Sequence, residues 1–231
     1  MIITPDNYRE FPAIANSDLS WLEKQLMPKD WVADAEQAFR MGSLIDAMIT
    51  EPHRVDFFQR KLDNDRYERE DFERAKQMKQ AFRSHKAYEN KSKFQFVMDL
   101  VDNCSFQHIS YQPAFEVDFE GYVFQVPAKC KWDLKKKMQP FGGDIKSTTA
   151  TTLDGCMQAI RHFNYDRSRA WYMDIEGHEM DCLIFISKVN FKVFVIPFNR
   201  QHWIYREGRA KYQELCFKYW SLFFNDQKKI A

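Results

Sequence analysis

A mixed α/β (α+β) fold, a central mixed β-sheet flanked by helices, is what this sequence predicts, and three observations predict it. Apolar positions recur at helical spacing early in the chain. From about residue 106 the period changes to two, as in Phe115, Val117 and Phe119 alternating with Glu116, Asp118 and Glu120. Two short apolar runs, Cys182 to Ile186 and Phe191 to Phe198, then precede a long helical stretch. Helices, strands, helix, strands, helix is the order of a mixed sheet covered by helices. With 231 residues, 45% of them hydrophobic and 16% aromatic, the chain is long enough for one large packed domain. Its parts are a mainly helical stretch to about 100, a sheet core over 106–200 with an inserted helix, and a C-terminal helix over 201–231.

The elements follow in order. Asn16-Ser17-Asp18 supplies cap residues for a helix carrying Leu19, Leu22 and Leu26, which Pro28 would end. A second helix is expected from about Ala33 to Thr50, with Phe39, Leu44, Ile45 and Met48 as its apolar positions and Pro52 as its stop. Residues 55–91, dense in charge of alternating sign (Arg60, Lys61, Asp63, Asp65, Arg66, Glu68, Arg69, Glu70, Asp71), read as a solvated helical face, with a partner-binding arm as the alternative. The strand ending at Phe119 meets a turn at Glu120-Gly121, and a second strand runs from Tyr122 to Asp133 with a break expected near Pro127. Lys135 to Pro140 turns the chain back into a third strand through Asp144 to Ser147. Thr151, Thr152 and Asp154 are cap candidates for a helix with Met157, Ile160 and Phe163, continuing or restarting from Tyr165 to Asp174. The last helix spans Trp203 to about Phe224, and its Trp203, Tyr205, Tyr219 and Trp220 read as core rather than a base-stacking platform.

Composition narrows the function classes. A formal net charge of +1 gives no global field toward polyanions or membranes, so any such site is local. Five cysteines without a CxxC pair, and six histidines without HxH or HExxH, argue against thiolate or histidine metal centres. Reduced, buried thiols, a start without a basic-then-apolar leader pattern and the lack of a long apolar run lead us to expect a cytoplasmic protein that does not span a membrane.

The chemistry concentrates in Lys129-Cys130-Lys131-Trp132-Asp133 and Gly142-Gly143-Asp144-Ile145-Lys146-Ser147-Thr148. Residues two apart on a strand share a face, so Asp144 and Lys146 project together while Ile145 faces a core. An acid, any residue and a lysine is a weak pattern that also occurs at Glu89–Lys91 and Asp226–Lys228. Asp144 stands out by following two glycines and enclosing an apolar residue. With Asp133 on the preceding antiparallel strand, two carboxylates face each other across the ladder, an arrangement that destabilises a sheet unless something offsets it. Magnesium, a hard cation with oxygen ligands, offsets it, and Lys146 would orient or deprotonate a water or stabilise the phosphorane. A structural ion-pair cluster is the competing reading of the same residues.

Several separated stretches, in order, resemble the PD-(D/E)xK nuclease superfamily, and within it the exonuclease VIII (RecE)-like branch of phage recombination exonucleases. They are Ile14 to Leu19, Phe39 to Asp46 with Glu51-Pro52, Glu116, Asp133, Asp144-Ile145-Lys146, and Tyr165 to Tyr172. The resemblance implies a restriction-endonuclease-like sheet and a magnesium-dependent deoxyribonuclease, with manganese able to substitute. Asp133, Asp144 and Glu116 would be metal ligands together with the Ile145 carbonyl, Lys146 would act on the water, and Tyr172 would face the site. It further implies linear duplex DNA as substrate, a single-strand annealing protein as partner and a ring-shaped homo-oligomer. The sequence departs from the family in two places. Asp46 replaces a histidine, as a third metal carboxylate or as a polar helix-end residue, and Ser168 replaces a glutamine, leaving Arg167 or Arg169 to contact phosphate. Lys129 and Lys131 would track the DNA backbone, Lys135 to Lys137 forming either more of that track or a solvated turn. A DNA-binding or recombination-partner module without catalysis, or an enzyme acting on a small phosphate ester, are the alternatives.

Overall fold

The computed structural model describes residues 2–27, 35–52 and 67–224, with side chains of the second stretch from Arg40 onward. The expected stop at Pro28, the Phe39 side chain and the charged run from Arg60 to Arg66 lie outside the described residues. Seven α-helices and five strands are described: α1 (Asn16–Leu26), α2 (Ala35–Thr50), α3 (Arg69–Phe82), α4 (Lys91–Asp102), β1 (Cys104–Phe119), β2 (Tyr122–Lys136), β3 (Gly142–Thr148), α5 (Leu153–His162), α6 (Tyr165–Glu176), β4 (Met180–Ser187), β5 (Val193–Asn199) and α7 (Trp203–Phe223). The strands form one mixed sheet in chain order, antiparallel except where β3 lies parallel to β4. A parallel neighbour requires a crossover, and α5 with α6 supplies it.

Two hydrophobic clusters fill the two faces. On β4, Leu183 and Phe185 join Trp132, Trp171, Ile204 and Cys216 in one, while Cys182, Ile184 and Ile186 join Leu44, Ile45, Phe72, Val97 and Ile145 in the other. Helices α1 and α5–α7 therefore cover one face and α2–α4 the opposite one. This explains why β4 reads as an unbroken apolar run, since strands buried on both sides lose the alternation. All five cysteines are buried and free. Among the described residues no helix is long and apolar enough to cross a membrane.

Several local expectations change. Helix α1 is capped from Ala15, whose backbone N–H donates to the Asp18 carboxylate at 2.7 Å, so Asp18 acts from the first turn rather than as the cap. Thr152 caps α5 by accepting from Gly155 N, and Asn164 in the left-handed region (φ 53°) separates α5 from α6. Helix α4, not singled out in the sequence, starts where the Asn90 side chain accepts from Lys93 N. Strand β2 runs through Pro127 unbroken, because Pro127 lies opposite the register shift of β1 between Gln112 and Phe115, where no ladder N–H is demanded. Lys135 and Lys136 belong to that strand rather than to a turn.

Two glycines set close approaches. A Cβ on Gly142 would come within 2.2 Å of the Trp132 ring, and one on Gly208 within 2.1 Å of the Asp166 carbonyl, so β3 starts tight against β2 and α7 crosses tight against α6.

Candidate active site

The β2–β3 ladder consists of Lys135 opposite Gly142 and Leu134 opposite Gly143. The next pair in register is Asp133 and Asp144. There the main-chain pairing stops, and the Asp133 carboxylate itself accepts the backbone N–H of Ile145 at 2.9 Å. The two acids are thereby set on neighbouring strands at the point where the strands cease to bond. Ile145 is buried against the α2–α4 face, so Asp144 and Lys146 turn to the other side and form an ion pair there. Helix α2 packs Leu44, Ile45 and Met48 into the core with Ile145 and brings Asp46 to the same point, where it is electrostatically coupled to Lys146 and Asp144.

Arg169, which the sequence reading assigned to phosphate, and Gln107, which it did not assign, complete the cluster. Arg169 on α6 is fully buried and donates to Asp144 Oδ1 (3.1 Å) and to Asp181 Oδ2 (2.7 Å). Its guanidinium lies 4.6 Å from the Trp132 ring centroid and 4.5 Å from that of Tyr172. Gln107 on β1 donates to both Asp46 oxygens (3.1 and 3.3 Å) and to Thr50 Oγ1 (2.9 Å). Asp181 was detectable in principle, since a lone acid entering the apolar run of β4 needs a buried partner. Gln107 carried no such signal.

Electrostatically the site is short of positive charge. Among the described residues coupled here, four carboxyls (Asp46, Asp133, Asp144, Asp181) face two cations (Lys146, Arg169). Burial, then the charges of Asp46 and Asp144, pushes Asp133 well above the ordinary carboxylate range. Burial also raises Asp46, with Lys146 pulling down and Asp144 pushing up behind it. Burial resists ionisation of Asp144 too, but Lys146 and Arg169 outweigh it and hold that carboxyl below its usual value. Asp181 is raised to about 6 by burial against the pull of Arg169. Burial likewise disfavours the Lys146 ammonium, yet Asp144 and Asp133 prevail and raise it above an ordinary lysine. Lys146 is a proton donor in this arrangement, which favours orienting a water or stabilising charge over deprotonating a water. Among the described residues no group of three or more His, Cys, Asp or Glu side chains is arranged to hold a metal ion as it stands.

The remaining candidates separate from this point. Glu116 is exposed on β1 opposite Gln125, nine positions along the strand from Gln107 or roughly 30 Å at about 3.3 Å per residue. It does not join the cluster. Tyr172 packs edge-on against Trp132 (5.4 Å between centroids) and under Arg169, and burial raises its pKa well above the usual phenol range. Arg167 is buried in a latch to α1, donating to Glu23 (2.6 Å), Asn16 Oδ1 (3.0 Å) and Ser20 Oγ, so it has no charge to spare for phosphate. Ser168 donates to the Tyr165 carbonyl of its own helix. Lys129 is buried with Nζ on the carbonyls of Tyr8 (2.6 Å) and Phe11 (2.7 Å), pinning the N-terminal segment rather than facing solvent. Lys135 pairs with Glu176 and Lys136 with Asp99. Lys131 is partly exposed and Lys137, from the optional continuation of that track, is exposed.

No family model matches the chain, and no curated protein matches it. Among solved structures, one described as the crystal structure of SSO0001 is similar over 85% of this chain and 84% of its own, at 11% identity and a TM-score of 0.34. A likeness of that degree carries no functional argument.

Proposed function

We propose that the chain is a metal-dependent nuclease that hydrolyses phosphodiester bonds in DNA. The observation that supports this reading is the shortage of positive charge around Asp133 and Asp144. With Asp46, Asp133, Asp144 and Asp181 all ionised the cluster carries two more negative than positive charges, and burial with this mutual repulsion shifts Asp133 and Asp46 toward the protonated form. A divalent cation would offset that excess of two negative charges, which fits the acid-rich donor set.

When bound by Asp133, Asp144, Asp46 and the Ile145 carbonyl, such a cation would supply Lewis-acid stabilisation of the phosphoryl oxygens. The protein's own groups do the rest. Lys146, an ammonium on the Asp144 side, donates a hydrogen bond to a phosphoryl oxygen as the water oxygen bonds to phosphorus and the bond to the ester oxygen breaks, the water's proton passing through solvent to the departing oxygen. Arg169, clamped between Trp132 and Tyr172, fixes Asp144 from behind and balances Asp181; Tyr172 acts through that clamp as a positioning residue. Lys131 offers a phosphate-backbone contact at the rim. Exonuclease action on linear duplex ends, a ring-shaped oligomer and an annealing-protein partner rest on the sequence resemblance alone.

The test is release of nucleotides from linear duplex DNA with magnesium or manganese, alongside chelator controls and the Asp144→Asn and Lys146→Ala variants. Wild-type activity lost in both variants supports the reading. A second reading is a non-cutting DNA-binding or partner module. It is favoured by the engagement of both Asp144 oxygens, one by Lys146 and one by Arg169, and by a serine at position 168 that is satisfied within its own helix. DNA binding without cleavage, equal in wild type and both variants, would select it.

A further inference from the structure

Gln107 occupies an unusual backbone position for a side chain of its kind. Its neighbours Phe106 and His108 pair with Leu134 and Trp132, so Gln107 lies across from Asp133, yet its φ is 51°, in the left-handed region that non-glycine residues seldom adopt within a strand. The distortion re-aims the amide toward α2. There Nε2 meets both oxygens of Asp46 and the Thr50 hydroxyl, while Thr50 Oγ1 reaches the Asp46 carbonyl at 2.9 Å and Oδ1 at 3.3 Å. Asp46 and Thr50 are one helical turn apart on α2, so a single amide braces both against β1.

We propose that Gln107 is a positioning residue that holds Asp46 toward Asp133 and Asp144, so that the α2 carboxylate acts as the third oxygen ligand of the site. Outer partners that orient a ligating carboxylate commonly set metal affinity as strongly as some ligands do. A carboxylate at the end of an unbraced rotamer would have to be ordered on each binding event, whereas here that ordering is built into the strand. The inference rests on the metal-dependent reading above and names the residue that makes Asp46 part of it.

Calorimetric titration of metal-stripped full-length protein with manganese tests it, using wild type, Gln107→Gly, Asp46→Asn and the double variant. Glycine accepts φ 51° without strain, so Gln107→Gly removes the amide while keeping or raising the melting temperature, which separates positioning from folding. Asparagine also tolerates that backbone but is one methylene too short, so Gln107→Asn is expected to behave like the glycine variant. The expected result is manganese binding in wild type, about tenfold weaker in Gln107→Gly, and no further loss when Gln107→Gly is added to Asp46→Asn. Wild-type affinity in Gln107→Gly, or an equal loss in the Asp46→Asn background, overturns the positioning role while leaving the metal reading standing. Failure of wild type itself to bind manganese overturns the metal reading, and this role with it.

Discussion

Asp174 and the group formed by Asp46, Asp133 and Asp144 are two ways of placing carboxylates in the interior of this fold. Asp174 on α6 is saturated: Arg200 (2.6 Å), Tyr205 (2.7 Å) and Tyr212 donate to it, and Arg209 forms an ion pair with it at 3.3 Å. It ties α6 to the start of α7 and has nothing left to offer. The other group shares Lys146, an Arg169 already divided with Asp181, the Gln107 amide, the Thr50 hydroxyl and one backbone N–H. A carboxylate surrounded by sufficient donors is a fastening. Carboxylates gathered where donors run short are, on the proposed reading, where a cation would bind, and that contrast can be broken by experiment.

The largest expected effect is catalytic. Asp144→Asn and Lys146→Ala should each reduce metal-dependent DNA hydrolysis by on the order of 10²–10³-fold or more, measured as nucleotide release, whereas Asp174→Asn should leave the rate of correctly folded protein within about twofold. A site that tolerates Asp144→Asn would put both regions in the same structural class.

Stability depends on which group of the site is removed. Arg169→Met leaves Asp144 and Asp181 buried without their shared cation and should cost about 3–5 kcal/mol in denaturant unfolding. Asp174→Asn strands Arg200 and Arg209, which retain some solvent, and should cost about 2–4 kcal/mol. Asp133→Asn, by contrast, removes one of the crowded acids and should be neutral or stabilising in metal-free protein at neutral pH.

The pH dependence follows from the same shifts. Asp133 and Asp46 have folded values above the unfolded ones, so the native state binds more protons, and the stability they contribute is full below pH about 4 and is lost as pH rises through their raised values. Asp144, held low by Lys146 and Arg169, acts in the opposite sense, its contribution being lost as pH falls below about 4. Melting curves of metal-free protein from pH 5 to pH 8 should therefore decline less in Asp133→Asn than in wild type. Manganese should stabilise wild type increasingly toward the alkaline end. A wild-type curve insensitive to Asp133→Asn would remove the argument from charge shortage.

The smallest effect belongs to the rim. Lys131→Ala should weaken DNA binding a few-fold and lower the slope of log affinity against log salt by about 1, while Lys129→Ala should act on folding through the N-terminal segment it pins.

Much of this was legible in the sequence because it follows from period and register. The alternation around Phe119 and the turn at Glu120-Gly121 set β1 against β2, and the spacing from Asp133 to Asp144 across a short turn set the acids opposite each other. What escaped depends on contacts distant in the chain. Glu116 was assigned by order of motifs, but β1 is 16 residues long and carries it far from the site. Arg167 and Arg169 are indistinguishable in a row of charges, and only the crossing of α6 over α1 and β4 makes one a latch and the other a counterion. Gln107 required a backbone excursion that no side-chain pattern announces.

Crystals soaked in manganese without chelator, with anomalous scattering data, test the central claim most directly. The account predicts an anomalous peak between Asp133 and Asp144, with the Asp46 carboxylate turned to it and Lys146 displaced from the ion pair. Protein saturated with manganese that shows no peak there, with Lys146 still seated on Asp144, would contradict it.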